Sequence, residues 1–277
     1  MSEQFHLVVG AGPIGSAVTR QLLAQGRRVR VVTRSGSGPD GPLVEKVAAD
    51  AGDAPRLVEI AAGAAVIYNC VNPQYHRWST DWPPVANALL AAAESSGAVL
   101  STTANLYGYG EVDAPMTEAT PLNGGYPKAQ VRIRMWQDAL AAHQAGRIRA
   151  TEARGADYVG PGSESRLGDR TIPKLLAGRS VQVLGSPDTL HTWTYTEDMA
   201  STLIAIGADE RAWGRAWHVP SALECTQREA LGRLAAMAGV PMPKVSTLSP
   251  LLLTALGLVN PQTVSYTHLT LPTIYSV

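Results

Sequence analysis

The chain of 277 residues carries 23 Lys+Arg against 23 Asp+Glu, a formal net charge of zero, with 45% hydrophobic and 17% charged residues. That composition excludes a disordered, collagen-like or coiled-coil chain, and zero net charge leaves no global attraction for nucleic acid or an anionic membrane. The length fits one large domain, or one carrying a smaller lobe, with a sizeable core.

Phe5 to Val9 is an apolar run of strand length that ends in the glycine-rich turn GAGPIG, Gly10 to Gly15. Ser16 to Gln25 follows with apolar residues at helical spacing, and Gly26 is a natural stop. Val29 to Thr33 is β-branched and predicts a second strand, Gly36 to Pro42 a loop, and Leu43 to Ala49 a short helix-to-strand passage. Leu57 to Ala62 reads as helix and Ala65 to Val71 as a buried strand; the aromatic stretch from Pro73 through Pro84 reads as loop. Val85 to Ser95, Val99 to Thr103, Lys128 to Gln144 and Thr151 to Ala153 continue the alternation of helix and strand. This alternation predicts a doubly wound α/β fold with a parallel sheet, because each parallel crossover needs an intervening segment, usually helical.

The last third is shorter in texture. Ile172 to Leu176 and Val181 to Leu184 bracket Gly178, Asp198 to Ile206 and Gln227 to Ala238 read as helices, and Ala216 to Val219 as a strand. The expected organisation is a nucleotide-binding domain over 1–160, completed by about 189–220, with substrate-lobe segments over 161–263. Cys70 and Cys225 read as reduced buried thiols, and no metal-ligand spacing accompanies them, so no metal is expected. The N-terminus lacks a basic region followed by a long apolar core, so no secretion signal is expected. The longest apolar stretch, Leu248 to Val259, contains Pro250 and is shorter than the roughly 20 residues that span a bilayer. A cytoplasmic protein is expected, with a small-molecule partner and no nucleic acid or membrane; a homodimer is compatible with it.

The glycine turn has the context of a dinucleotide site. Gly10 would make the tight turn, Gly12 would let a pyrophosphate approach the backbone, and Gly15 would let the helix opened by Pro13 and Ile14 pack close to the strand. About 20 residues on, where an acid would bind a ribose 2′-hydroxyl, stand Thr33, Arg34 and Ser35. A cation with two hydroxyls suits a 2′-phosphate, which predicts NADP, with NAD as the alternative.

Further motifs carry a family resemblance: ADAGD (Ala49 to Asp53), YNCVNP (Tyr68 to Pro73), LSTTANLYGYG (Leu100 to Gly110), ARGADYVGPG (Ala153 to Gly162) and WTYTEDMA (Trp193 to Ala200). In this order, from Phe5 to about Pro220, they resemble an extended or atypical short-chain dehydrogenase/reductase of the NAD-dependent epimerase/dehydratase group. The resemblance implies that Asp50 contacts the adenine and that the strand bearing Asn69 and Val71 runs along the cofactor. It places Thr103 where that family has its catalytic Ser/Thr, whose hydroxyl binds the substrate oxygen.

The chain departs from that pattern at the proton donor. The family uses Tyr-x-x-x-Lys, whose members share a helix face. Here NGGYPKAQVR, Asn123 to Arg132, puts Gly124 four residues before Lys128 and Gln130 four after Tyr126. Lys128, at the start of the long helix, is favoured as the cofactor-side lysine, and Tyr126 could reach the site from the preceding loop. Tyr107 would be chiefly a wall residue. Asn72, Tyr75, His76, Arg77 and Trp78, with His191 and Trp193, could line a pocket for a small polar, carbonyl-bearing or sugar-like substrate.

The expected function is therefore an NADP-dependent oxidoreductase or epimerase. The alternative, which the broken Tyr-x-x-x-Lys pair permits, is a non-catalytic NAD(P)-binding redox sensor or regulatory protein. From Val264 the chain reads VSYTHLTLPTIYSV, without Ala, Gly or a charged side chain. Residues 264–277 resemble translated vector or adaptor DNA and are expected to be non-native, which would leave the substrate lobe truncated.

Overall fold

The computed structural model describes residues 4–163, 165, 167–168 and 171–247. The tail 264–277 and the apolar stretch 248–259 lie outside them. Strands β1 (Phe5–Val9), β2 (Val29–Thr33), β3 (Val44–Ala48), β4 (Ala64–Asn69), β5 (Val99–Asn105), β6 (Arg149–Gly155) and, later in the chain, β10 (Ala216–His218) form one seven-stranded sheet. Its order is β10-β6-β5-β4-β1-β2-β3, and every pair is parallel.

Strands covered on both faces must be apolar throughout, and β1 meets that demand. Leu7 and Val9 point into one layer with α2 (Ala54–Ala61), α3 (Trp78–Ser96) and α4 (Pro127–Gln144), whose contributions include Leu57, Trp82, Leu89 and Ala139. Val8 points the other way, onto α1 (Pro13–Ala24) and α6 (Thr196–Ala208), where Val18, Leu22, Met199 and Leu203 are buried. Each fully buried leucine contributes about 2 kcal/mol relative to an exposed one. The predicted doubly wound α/β class is the class observed.

Two sequence expectations need correction. Leu43 to Ala49 contains no helix; it is edge strand β3. The stretch from Pro73 through Pro84 is not a loop: after a 3-10 turn over Tyr75–Arg77, α3 begins at Trp78 and runs through Pro83 and Pro84. A proline inside a helix removes a hydrogen bond and costs about 3 kcal/mol. Burial of Trp78 and Trp82 compensates, since one turn apart they face the same layer.

Beyond β6, the chain leaves the main sheet. β7 (Asp157–Val159), β9 (Leu190–Tyr195) and β11 (Ala222–Thr226) form a second sheet in the order β11-β9-β7. β8 (Val181–Val183) pairs with β12 (Val245–Thr247). With α5 (Ile172–Leu176) and α7 (Gln227–Ala238) they enclose a separate core of Leu175, Val181, Trp193, Cys225 and Leu231. α7 starts on a capping box in which Thr226 and Glu229 satisfy each other's backbone N–H groups. No helix among the described residues is long and apolar enough to cross a membrane.

Candidate functional site

Strand order reverses at β1, which lies between β2 and β4, the place where folds of this kind bind ligands at the carboxyl ends of the strands. Val9 is in register with Asn69. Immediately beyond, Gly10 has φ 96°, and a Cβ on it would stand 2.6 Å from the Cys70 carbonyl oxygen. A Cβ on Gly15 would stand 1.9 Å from the Gly10 oxygen. Packing alone therefore forbids side chains at the first and third glycines.

Gly12 differs. Among the described residues, its two chain neighbours apart, a Cβ there would meet nothing within 4 Å, so its surroundings are open rather than closed. It is the N-cap of α1, no side chain caps that end, and Pro13 follows at the first turn. Unclaimed first-turn N–H groups, a positive helix end and space in front of the backbone suit a diphosphate. A Cβ on Gly162 would lie 3.8 Å from Pro13 Cγ, so the loop after β7 crosses the start of α1.

At the end of β2, Thr33 Oγ1 donates to the Ser37 carbonyl at 2.8 Å, and Ser35 Oγ donates to Ser37 Oγ at 2.9 Å. These bonds curl the loop and leave Arg34 exposed, with no carboxylate paired to it among the described residues. Asp50 is exposed and accepts from Gly52 N at 2.8 Å, which fixes the turn before α2. Asn69 is buried, and its Oδ1 accepts from Val71 N at 3.2 Å, holding the chain as it leaves β4.

Thr103 lies near the carboxyl end of β5. Its hydroxyl donates to Cys70 Sγ at 3.9 Å, and burial pushes that thiol's pKa up to about 12, so the sulfur stays protonated. Its carbonyl accepts from Arg132 Nη1 at 3.3 Å. Arg132 is buried, and its guanidinium lies 4.5 Å from the ring centroids of both Trp78 and Trp82. It follows Lys128 by four residues and so shares its helix face, a spacing visible in the sequence but not used there.

The proton-donor region is closed where the family pattern would put a tyrosine. A Cβ on Gly124 would stand 2.5 Å from Ala129 Cβ and 2.6 Å from the Tyr107 carbonyl. Gln130 Nε2 donates to the Gly124 oxygen at 2.5 Å, pinning the segment. Tyr126 is the N-cap of α4, and its hydroxyl donates to the Tyr107 carbonyl at 3.3 Å. Burial, reinforced by Tyr107, pushes the Tyr126 phenol up, away from ready ionisation. Lys128 Nζ lies 4.0 Å from the centroid of Tyr75, whose hydroxyl donates to Tyr107 Oη at 3.1 Å. Partial burial lowers the Lys128 pKa.

The residues read as a substrate wall divide. Tyr75 and Tyr107 meet edge to face near Lys128. Trp78 is 3% exposed and donates to the Pro73 carbonyl at 3.1 Å; it packs inward beneath Tyr75 and offers little surface to a ligand. Trp193, 5% exposed, belongs to the lobe core and donates to the Cys225 carbonyl. Asn72 and His76 are exposed, and exposed Arg77 pairs with Asp81 at 3.0 Å, one helical turn on. His191 Nδ1 lies 2.9 Å from Asp157 Oδ2, a pairing across β9 and β7 that no sequence spacing announced.

Known proteins share the fold. Among solved structures, a double mutant of the dTDP-glucose 4,6-dehydratase DesIV from Streptomyces venezuelae, with NAD bound, is 23% identical, with 88% of this chain and 84% of that one covered at a TM-score of 0.76. UDP-glucose 4-epimerase from Thermotoga maritima, with UDP-glucose, is 17% identical at a TM-score of 0.76, covering 89% of this chain and 86% of that one. UDP-N-acetylglucosamine 4-epimerase from Methanobrevibacter ruminantium, in complex with UDP-N-acetylmuramic acid, is 15% identical at 0.76, covering 90% and 86%. These likenesses show the fold. A search of curated proteins finds no match. The model of the NAD dependent epimerase/dehydratase family matches residues 6–219, most of the chain, and the protein belongs to that family.

Proposed function

We propose that the chain is an NADP-dependent oxidoreductase or epimerase that acts on a small carbonyl- or sugar-like substrate. The observation that carries this reading is the open space at Gly12 beside two glycines whose neighbours leave no room for a side chain. A dinucleotide diphosphate would sit there against the start of α1, with Ile14 and Val71 alongside, Asp50 toward the adenine and Lys128 toward the nicotinamide ribose. Bound NADP would supply hydride acceptance and donation at its nicotinamide. Thr103 would hold the substrate oxygen. NADP is preferred because exposed Arg34 can pair with a 2′-phosphate, flanked by the Thr33 and Ser35 hydroxyls. The similar structures contain NAD, UDP-glucose or UDP-N-acetylmuramic acid, so nucleotide-linked sugars are the first substrates to offer. A cytoplasmic location belongs to this proposal, and a homodimer is compatible with it.

Fluorescence titration with NADPH and NADH tests the cofactor assignment. NADPH should bind more tightly, and Arg34→Ala should weaken NADPH about tenfold while leaving NADH within about twofold, the value of one lost charge-assisted contact. Tighter binding of NADH would overturn it.

A second reading, a cofactor-binding protein without turnover, is favoured by the closed space at Gly124. NADPH binding without oxidation by any of a panel of aldehydes, ketones and nucleotide sugars would select it.

A further inference from the structure

The closed space at Gly124 removes the tyrosine one turn before Lys128, yet the lysine has not lost a phenol. Tyr75 reaches it from the turn after β4, with Nζ 4.0 Å from its ring centroid. The Tyr75 hydroxyl donates to Tyr107 Oη at 3.1 Å, and Tyr107 is held by its own N–H donating to Asn105 Oδ1 at 3.2 Å. Asn105 ends β5, the strand that carries Thr103. Lys128 and Arg132 stand one turn apart on α4; the first lies over Tyr75, and the second spans Trp78 and reaches the Thr103 carbonyl. Two elements far apart in sequence thus converge on Lys128 and Tyr107, one helical turn from the arginine that reaches the Thr103 backbone carbonyl.

We propose that Tyr75, paired to Lys128 and hydrogen-bonded to Tyr107, supplies the acid–base phenol of this site in place of the absent Tyr-x-x-x-Lys tyrosine. The proposal rests on the reading of the site as a hydride-transfer centre. Tyr126 suits the role less well, because its hydroxyl is spent on a backbone oxygen and burial opposes its ionisation. At Tyr75 a cation faces the ring, which stabilises the negative charge left when the proton departs. When a substrate carbonyl is reduced, the Tyr75 O–H bond breaks as the substrate O–H bond forms, and the phenolate recovers its proton from solvent through Tyr107. When an alcohol is oxidised, the same proton moves from the substrate to the phenolate. The charged and titratable groups around Tyr75 include Lys128 and Arg132 from α4 and Tyr107 from the turn after β5.

Nitration by tetranitromethane, which attacks phenolates, reads this pairing without cofactor or substrate. Reaction of the full chain at pH 8, with nitrotyrosine mapped by peptide mass spectrometry, should modify Tyr75 faster than Tyr195, which is 41% exposed. Lys128→Met should slow Tyr75 at least about fivefold and leave Tyr195 unchanged, and Lys128→Arg should restore most of the rate. Tyr75 reacting no faster than Tyr195, or at the same rate in Lys128→Met, would overturn the proposal. Tyr75→Phe should keep NADPH affinity within about twofold while lowering kcat at least about a hundredfold, the usual contribution of a general acid; Tyr126→Phe should change kcat less than about threefold. The opposite ranking would also overturn it. A wild-type chain that binds neither NADPH nor NADH contradicts the proposed function instead, and does so whatever the nitration result.

Discussion

Arg132 donates from Nη1 to the carbonyl oxygen of Thr103 at 3.3 Å, which ties helix α4 to the carboxyl end of strand β5. The buried guanidinium stands 4.5 Å from two indoles set at 81° to each other, so desolvation lowers its pKa while both ring contacts hold it. Arg132→Ala removes two ring contacts and leaves a hole; the expected loss of stability is about 3 kcal/mol in urea denaturation. Arg132→Met, which keeps most of the volume, should lose about half as much.

Restoring the absent tyrosine should fail. Gly124→Tyr gives the family spacing to Lys128, but its Cβ alone overlaps Ala129 Cβ and the Tyr107 carbonyl. Overpacking of this kind costs about 1–3 kcal/mol, and the phenol would find no room. The measurable outcome is a lower Tm with no gain in NADPH oxidation. Gly124→Ala should show a smaller loss of the same sign.

At Gly15 the demand is for packing. Gly15→Ala places a methyl 1.9 Å from the Gly10 oxygen, a backbone atom that cannot swing aside. The turn must deform, at a cost of about 3 kcal/mol or more, so the substitution should lower the denaturation midpoint even without cofactor.

His6 gives the protein a pH dependence. Burial, with help from Arg27, lowers its pKa from 6.5 to about 4, and the ring lies 3.1 Å from the buried Tyr68 hydroxyl. Between those values the unfolded chain binds the proton and the folded chain does not, so stability falls as pH drops from 6.5 toward 4 and levels off below. Allowing for the ring's partial contact with water, His6 should account for about 1–2 kcal/mol. His218 is also held down by burial and changes stability in the same direction. The comparison is therefore wild type against His6→Gln by urea denaturation at pH 7 and 4.5: the variant should lose less stability.

Local signals were legible in the chain. The run from Phe5 through GAGPIG into α1, and the long helix after Pro127, follow from neighbours a few residues apart. The start of α3 was hidden because Pro83 and Pro84 read as breakers, whereas burial of Trp78 and Trp82 decides the outcome. Strand β9, LHTWTY, has too little apolar character to announce itself; it exists because β7 and β11 pair with it. Where the glycines, Thr103 and Lys128 lie in the fold, at the first turn, the end of β5 and the start of α4, was readable by position. The contact of Tyr75 with Lys128 and that of His191 with Asp157 were not, since each joins segments that only the folded chain brings together.

A dinucleotide seated against Gly12 is tested most directly by fluorescence titration of NADPH into the wild type and Gly12→Ala. Among the described residues, its two chain neighbours apart, the added methyl meets nothing within 4 Å, so the folded chain should be untouched and its Tm unchanged within about 1 °C. A ligand occupying that space would meet the methyl directly, so NADPH affinity should fall at least about tenfold, the equivalent of ~1.4 kcal/mol. Equal affinity in the two proteins, or no binding to the wild type, would contradict the assignment.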